Sequence, residues 1–229
     1  MGAEPAGQAT LVLASASPRR LALLRQVGLD PIVRPADVDE SLWPGESPAD
    51  YVVRLARAKA LAPDRAPDEL VLAADTTVVC DGRALGKPRD AEEAAGMLAR
   101  LAGGCHEVLT AVALVGPAGP SVPPDSVQLE QLVRTRVQMV ALTPGRIAAY
   151  VATGEPMGKA GGFAIQGRAA AFVARIEGSY TGVVGLPLPE VLGLLARIGF
   201  PKGPPAAPWP TSPEWGLSPS PDVRYRDPG

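Results

Sequence analysis

The chain of 229 residues is poor in the side chains from which many metal and nucleophilic sites are built. It has one histidine, His106, and two cysteines, Cys80 and Cys105. A single histidine excludes a multi-histidine metal site and disfavours a Ser-His-Asp triad. Two cysteines make neither a disulfide framework nor a zinc-binding spacing. We therefore expect reduced thiols and a site built from other residue types.

The chain also has little net charge and no long apolar run. The formal net charge is −2, so the chain lacks the overall basic field that is typical of duplex-binding proteins. No run approaches the length of a membrane span, and residues 1–9 lack the layout of a signal peptide. Hydrophobic residues make up 46% of the chain, which predicts a packed core. We expect a cytoplasmic protein with no membrane partner and no nucleic-acid partner.

The segment 15–20, with the sequence SASPRR, lies between an apolar run and an amphipathic run. This order predicts a strand, a tight turn and a helix, with Ser17 as the N-cap and Pro18 at the first helical position. Arg19 and Arg20 then lie in the first turn, where the positive end of the helix dipole disfavours a cation by about 0.3–1 kcal/mol. Hydroxyls, free N–H groups and two guanidinium groups predict an anion site of the kind that binds phosphate. The alternative is a capped helix with solvated arginines.

Two acidic residues are candidate catalytic or metal-binding groups. Asp75 follows the continuous apolar run 70–74, and a carboxylate at the end of a buried strand is costly unless it is paired, metal-bound or catalytic. Glu40 lies in an acidic turn and would supply a second oxygen to Mg²⁺, which takes one or two carboxylates together with phosphates and water. The alternative for Asp75 is that it caps a turn and is bonded to Thr76 or Thr77. The alternative for Glu40 is that it lies in a solvated acidic loop.

Two lysines and a glutamine complete the candidates. The P-loop pattern around Lys87 is not met, because Asp81 and Pro88 stand where glycine and Ser or Thr are needed, but Lys87 still suits phosphate as a point charge. Lys59 borders the apolar face of a predicted helix, where a buried stem with a solvated ammonium is an equal alternative. Gln166 lies in a glycine-rich loop and has the paired donor and acceptor that suit a nucleobase edge.

The pattern of apolar runs and breakers predicts an α/β fold with a mixed sheet rather than regular βαβ alternation. Strands are expected at 11–14, 70–74, 105–115, 127–140 and 170–176, with helices at 18–27, 48–62, 91–102, 144–152 and 189–198. A glycine- and proline-rich segment at 116–124 would join two strands as a long hairpin, and 183–187 is expected to be a turn. Residues 201–229 carry nine prolines without periodicity, which predicts an extended or disordered tail. We therefore divide the chain into a flexible N-terminus (1–9), one domain (10–200) and a tail (201–229).

Several separated motifs together resemble the Maf family of nucleoside triphosphate pyrophosphatases. The motifs are LASASPRR at 13–20, Asp39-Glu40, ADT at 74–76, GKP at 86–88, the region of His106 and Thr110, KAG at 159–161, IQG at 165–167 and VVGLP at 183–187. Each motif alone is weak. In this order and spacing, from about residue 11 to residue 200, they are highly specific.

The resemblance implies an α/β fold of two lobes around a long curved mixed β-sheet with a central cleft, as in Maf and ITPase-like proteins. It implies hydrolysis of a nucleoside triphosphate between its α and β phosphates, with Mg²⁺ or Mn²⁺, in a family that often forms homodimers. By this analogy Asp75 accepts a proton from water, and Glu40 and Asp75 hold the metal. The residues that would hold phosphates are Ser15, Arg19, Arg20, Lys59 and Lys87. Arg19, Thr76 and Gln166 match positions that are associated with selectivity for dTTP and UTP.

Other substrates and one other class of protein are the alternatives. A sister branch that acts on 7-methyl-GTP typically carries Glu at the position of Gln166, and a modified nucleotide is a further candidate substrate. The family often reads DKAGAY where this chain reads GKAGGF at 158–163, which weakens the assignment of the base. A regulatory nucleic-acid-binding module would use segment 15–20 as a phosphate contact, but the net charge and the lack of interleaved aromatic and basic residues count against it.

Overall fold

One mixed sheet organises the residues that the computed structural model describes, which are 9–116, 129–198 and 200. Its strands are β1 (Thr10–Leu13), β2 (Ile32–Val33), β3 (Glu69–Cys80), β4 (Arg83–Leu85), β5 (Cys105–Val115), β6 (Leu129–Met139) and β7 (Val173–Glu177). The helices are α1 (Pro18–Gln26), α2 (Pro48–Leu61), α3 (Ala91–Leu101), α4 (Pro144–Val151), α5 (Tyr180–Val184) and α6 (Leu188–Arg197). Two 3₁₀ turns span Ala160–Gly162 and Arg168–Phe172.

The sheet combines a parallel part and an antiparallel part. The strand order is β2-β1-β3-β5-β6-β7, and β4 also pairs with β3. β1 runs parallel to both β2 and β3, with helical crossovers between them, whereas the remaining pairs are antiparallel. The predicted mixed α/β sheet is therefore confirmed.

Along one edge, β3 changes its partner. β1 accompanies β3 as far as Leu72, and β4 pairs with it only from Val78 onwards. The intervening residues 73–77 pair with β5 along one edge of β3. Along the opposite edge, where β1 has ended and β4 has not begun, they face a gap in the sheet. Ligands of open α/β sheets commonly bind where neighbouring strands diverge, so this gap is a natural place for a site.

The two faces of the sheet pack against different helices. On one face, small residues of α2 such as Ala56 and Ala60 lie against Val71, Ala73 and Ala111, and their size lets the helix approach the strands closely. The larger cluster on the opposite face contains leucines of α1 and α6 and residues of α3 and α4. Because side chains alternate along a strand, consecutive residues of β3 point to different helices.

The long strands connect two lobes. β3 has 12 residues, and β5 and β6 have 11 each, so each spans roughly 35–40 Å. Helix α2 packs across β3 and β5, while α3 packs with α4 and with the 3₁₀ turn Ala160–Gly162, which contacts β3. The predicted two-lobed architecture is thus confirmed, and none of the described helices is long and apolar enough to cross a membrane.

Three local predictions were wrong. Asp75 lies in the middle of β3, not at its end, because the residues after it continue to pair with β5. The strand predicted at 170–176 begins only at Val173, after a 3₁₀ turn that buries Phe172. The predicted turn at 183–187 overlaps the end of α5.

Some predictions fall outside the described residues. These are residues 1–8 of the predicted N-terminal segment, residues 117–124 of the predicted hairpin connection and the tail 201–229. The division of the chain into these parts stays a prediction.

Candidate active site

A cleft of about 450 Å³ opens at the gap in the sheet, a volume that is typical of small-molecule sites. It is bordered by the end of β1 and the start of α1, by α2, by β3, by the segment after β4 and by the loop 158–166. All the predicted site residues line it, namely Ser15, Arg19, Arg20, Glu40, Lys59, Asp75, Thr76, Lys87 and Gln166. The structure therefore brings together residues that are separated by up to 151 positions in the sequence.

The centre of the cleft is an ion triad of Asp75, Lys59 and Glu40. The Nζ atom of Lys59 lies 2.6 Å from Oδ1 of Asp75 and 2.5 Å from Oε1 of Glu40. Lys59 and Asp75 are each 8% exposed, so the alternative of a solvated Lys59 ammonium is wrong. Asp75 forms an ion pair with Lys59, which belongs to α2. This pairing also excludes the alternative in which Asp75 caps a turn.

The two carboxyl groups of the triad have pKa values that are shifted in opposite directions. Burial raises the pKa of Asp75, and the nearby charges of Lys59 and Arg20 oppose this effect without cancelling it. Burial also tends to raise the pKa of Glu40. The hydrogen bonds and charges of Lys59 and Lys87 outweigh this effect, so the pKa of Glu40 is lowered. Carboxyl groups whose pKa values are shifted in opposite directions are a common feature of acid–base sites.

Glu40 is held in place by α2, through contacts that sequence reasoning missed. The hydroxyl of Tyr51 donates to the backbone oxygen of Glu40 at 2.9 Å, and Nη2 of Arg54 donates to that of Ser41 at 2.9 Å. The guanidinium of Arg54 also stacks 4.0 Å from the centre of the Trp43 ring. These contacts order the acidic turn, while the Glu40 side chain is 43% exposed and pairs with Lys59.

Arg20 is bound to the protein at three points. Its Nε donates to the backbone oxygen of Gly185 at 2.8 Å, Nη1 donates to Oγ of Ser15 at 3.1 Å, and Nη2 donates to Oγ1 of Thr76 at 3.3 Å. Burial lowers the pKa of Arg20 but leaves it a cation. The solvated-arginine alternative is wrong for Arg20, and the cation at the positive end of α1 is stabilised by these contacts before any ligand binds.

A directed chain of hydroxyl groups supports Arg20. Thr110 donates to the backbone oxygen of Gly182 at 2.8 Å, so its oxygen must accept the hydrogen bond that joins it to Thr76 at 3.1 Å. The Thr76 hydroxyl therefore points away from the cleft while its oxygen accepts from Arg20. Thr110 is a supporting residue that the sequence indicated only as part of a motif, because it pairs with Thr76 across β5 and β3.

The start of α1 differs in detail from the prediction. Ser17 occupies the N-cap position, but its side chain makes no capping hydrogen bond. Oγ of Ser15 accepts from the backbone N–H of Ser17 at 3.2 Å. Arg19 is partly buried in the cleft, has no hydrogen-bond or ion-pair partner within the described part of the chain, and is therefore available to an anion.

Two loops close the cleft opposite α1. The backbone N–H of Gly161 donates to the oxygen of Gly86, beside Lys87, at 3.0 Å. Gly161 has a φ of +68°, and a Cβ there would lie 2.9 Å from Val78, so only glycine fits this contact. Lys159, the first residue of the KAG motif at 159–161, also lines the cleft, and burial together with the charge of Arg19 lowers its pKa.

The charges of the cleft favour a polyanion. Five cationic side chains line it, Arg19, Arg20, Lys59, Lys87 and Lys159, against the two carboxylates of Glu40 and Asp75. Because the surroundings are partly buried, these charges are screened less than they would be at the surface.

The donor chemistry of the triad fits a divalent cation. Glu40 and Asp75 carry the hard carboxylate oxygens that Mg²⁺ and Mn²⁺ prefer. One oxygen of each carboxylate is bound to the Lys59 ammonium, so the second oxygen of each is the one that would bind a metal. Within residues 9–116 and 129–198 no cluster of three or more acidic, histidine or cysteine residues is arranged to hold a metal ion. A cation at the triad would thus complete its coordination with ligand phosphates and water.

His106 takes no part in a Cys-His pair. It is 3% exposed and packs edge-on against Phe163, while Cys105 is exposed. The sequence-based expectation that these neighbours on a strand point to opposite faces is confirmed.

The chain is similar to known proteins in sequence. The model of the Maf-like protein family matches residues 10–198. The dTTP/UTP pyrophosphatase of Anaeromyxobacter dehalogenans is 53% identical over 191 residues, which cover 83% of this chain and 95% of the relative. That of Myxococcus xanthus is 50% identical over 197 residues, 86% of this chain and 96% of the relative. A solved structure of a nucleoside-triphosphatase, dITP/XTP pyrophosphatase, from Mycobacterium abscessus has a TM-score of 0.36 at 19% identity, covering 58% of this chain and 75% of that one.

Proposed function

The chain belongs to the Maf family, and on that premise we propose that it hydrolyses dTTP and UTP between the α and β phosphates, giving the nucleoside monophosphate and pyrophosphate. The observation that carries the proposal is the excess of cations around a buried carboxylate of raised pKa. A triphosphate satisfies that excess, and its attack by water needs a base at the same place.

Asp75 is the proposed proton acceptor. Its raised pKa makes it a stronger base than an ordinary aspartate, and Lys59 fixes the direction of its carboxylate. As the oxygen of water forms its bond to the α phosphorus, a proton passes to Asp75 and the bond from that phosphorus to the bridging oxygen breaks. Pyrophosphate leaves with the bonding electrons. Positioned cations stabilise the negative charge that develops on the phosphate oxygens.

The proposed phosphate ligands are Ser15, Arg19, Arg20, Lys59 and Lys87. Arg20 enters with three of its five N–H groups already bonded to protein, so it presents the remaining ones in a fixed direction. Glu40 and Asp75 would hold Mg²⁺ or Mn²⁺, which neutralises phosphate charge and lowers the pKa of a bound water.

Gln166 is proposed to read the base, and Arg19 and Thr76, which also line the cleft, are proposed to contribute to selectivity. A primary amide offers one donor and one acceptor, which match O4 and the N3–H group of thymine or uracil. The Thr76 hydroxyl is already committed to Arg20 and Thr110, so we propose that it acts through Arg20 and not by donating to the base.

The direct test combines a nucleotide panel with an isotope label. Pyrophosphate release is measured for dTTP, UTP, dCTP, 7-methyl-GTP and modified pyrimidine triphosphates, with and without EDTA. Hydrolysis in H₂¹⁸O should place the label in the monophosphate, since attack is at the α phosphorus. Label in pyrophosphate, or release that EDTA does not reduce, would contradict the proposed reaction or its metal dependence. Salt-sensitive duplex binding without any release would favour the nucleic-acid module instead.

Asp75→Asn tests the role of the base. We expect it to reduce turnover by at least a thousandfold while the melting temperature changes little, because the amide keeps the shape of the carboxylate. Asp81→Asn is the matched control, since Asp81 is exposed at the turn after β3 and does not line the cleft. Near-normal release by Asp75→Asn would refute the assignment.

We also propose a cytoplasmic location, where nucleoside triphosphates are found, and a homodimer, as is common in the family. Light scattering after gel filtration tests the second proposal, and a monomer at micromolar concentration would refute it.

A further inference from the structure

Gln166 lies at the corner of a tight turn. The backbone N–H of Gly167 donates to the oxygen of Ala164 at 2.9 Å, which closes a four-residue turn with Ile165 and Gln166 at its centre. Ile165 is buried in the core, whereas Gln166 is exposed to the cleft. The backbone on either side of the turn therefore decides where the amide of Gln166 stands.

Both sides of this turn are bound to one pair of side chains, Tyr150 and Glu155. The Tyr150 hydroxyl accepts from the backbone N–H of Ala164 at 3.1 Å and donates to Oε1 of Glu155 at 2.9 Å. Oε2 of Glu155 accepts from the N–H of Arg168 at 3.1 Å, and Oε1 accepts from that of Ala169 at 3.4 Å. We call these two residues the turn clamp.

The turn clamp is itself rigid. Tyr150 is 3% exposed, lies in the last turn of α4 and packs edge-on against Phe172, with ring centroids 5.1 Å apart. Burial raises the pKa of the Tyr150 phenol, so it keeps its proton. Burial alone would raise the pKa of Glu155, but hydrogen bonds from the backbone and from Tyr150 lower it, so the carboxylate stays ionised as an acceptor at neutral pH.

Gly167 makes this arrangement sterically feasible. A Cβ at this position would lie 2.5 Å from the carboxylate of Glu155. Any larger residue would push that carboxylate away from the N–H groups that it binds. The glycine between Gln166 and Arg168 is thus explained by the approach of Glu155.

We propose that Tyr150 and Glu155 are positioning residues that determine nucleobase specificity by fixing the turn that carries Gln166. The inference rests on the proposed function, because it assumes that the cleft binds a nucleoside triphosphate. Neither residue lines the cleft, so neither touches the base. A shift of the turn would move the donor and acceptor of Gln166 relative to the base edge while leaving the phosphate-binding side chains in place.

The test compares dTTP with dCTP, which share sugar and phosphates but present opposite donor and acceptor patterns at the base. Tyr150→Phe removes the acceptor for Ala164 and should lower the ratio of kcat/KM for dTTP to that for dCTP about fivefold, as expected for one neutral hydrogen bond. Glu155→Gln replaces one carboxylate oxygen by an NH₂ group, which faces a backbone N–H donor in either orientation of the amide, and should lower the ratio further. In both variants the rate with dCTP should change less than the rate with dTTP.

The matched control is Thr143→Ala. Thr143 caps the other end of α4 by accepting from the N–H of Arg146, so the variant should lower the melting temperature without touching the turn. The proposal is supported if the control keeps the wild-type ratio while both clamp variants lose it. It is refuted if the clamp variants lose activity equally with both nucleotides. A wild-type protein that cleaves no nucleotide would instead refute the proposed function, and the inference with it.

Discussion

Lowering the pH from 7 to 4 should destabilise this protein through one buried side chain, His106. The ring is 3% exposed, and neither of its nitrogens has a hydrogen-bond partner among the described residues. Burial lowers the pKa of His106 to about 4, from an ordinary value near 6.5. The folded protein therefore keeps the ring neutral at pH values where the unfolded chain is already protonated.

The sign and the size of the effect follow from this difference. Between pH 6.5 and pH 4 the unfolded state binds a proton that the folded state does not, so the free energy of unfolding falls as the pH falls. Below pH 4 both states are protonated and the loss is complete. The gap between the two pKa values corresponds to a loss on the order of 3 kcal/mol, a large part of the stability of an ordinary domain.

Urea unfolding at pH 7, 6, 5 and 4 measures this loss, followed by far-UV circular dichroism. Other groups also titrate in this range, so the informative quantity is the difference between the wild type and His106→Leu. Imperfect packing in the variant adds a constant offset, whereas the missing proton changes the slope with pH. Since the chain has one histidine, a single imidazole NMR signal should also keep its neutral shift down to pH 5. Parallel stability curves, or a native imidazole that titrates near 6.5, would refute the reasoning.

Three further changes test the site and its walls. Lys59→Met should move the acid limb of the kcat/KM–pH profile to higher pH, because Lys59 lowers the pKa of Asp75; an unmoved limb would contradict this. Gln166→Glu should weaken dTTP and UTP cleavage relative to 7-methyl-GTP, and unchanged kcat/KM ratios would argue against a selectivity role. Gly161→Ala should lower the free energy of unfolding by about 1–3 kcal/mol, since its φ is +68° and a Cβ would lie 2.9 Å from a β3 side chain. Gly193→Ala, in α6 with open space around it, should show no such loss if the reasoning is correct.

The features that depend on neighbouring residues were predictable from the sequence. The starts of three helices illustrate this, since the helices predicted from residues 48, 91 and 144 begin there, each after a side chain that accepts from the backbone N–H group three residues later. The cap predicted at Ser17 makes no such hydrogen bond. The membership of the site was also predicted, because motifs of one family mark it. Local patterns and family motifs can both be recognised in a single sequence.

The features that depend on distant pairing were not predictable. The end of the apolar run before Asp75 looked like the end of a strand, but pairing with β5 and β4 extends β3 by six more residues, to Cys80. The partner of Lys59 is 16 residues away and that of Arg20 is 165 residues away, so their burial has no local sign. The clamp formed by Tyr150 and Glu155 was missed for the same reason, because a tyrosine in a helix and a glutamate in a loop are each unremarkable alone.

The gap beside residues 73–77 of β3 also bears on solubility. Backbone groups alternate in direction along a strand, and the oxygen of Leu72 accepts from the N–H of Ala14, the residue after β1, so the oxygens of Ala74 and Thr76 face the gap. An unpaired strand edge normally invites pairing with another chain, and proteins protect such edges by keeping them short or covered. Here the free edge is only five residues long, and β3 is paired with another strand on either side of it. The cationic side chains of the cleft surround this edge and repel one another. The protein thereby keeps polar backbone open to a small ligand while remaining closed to a second strand.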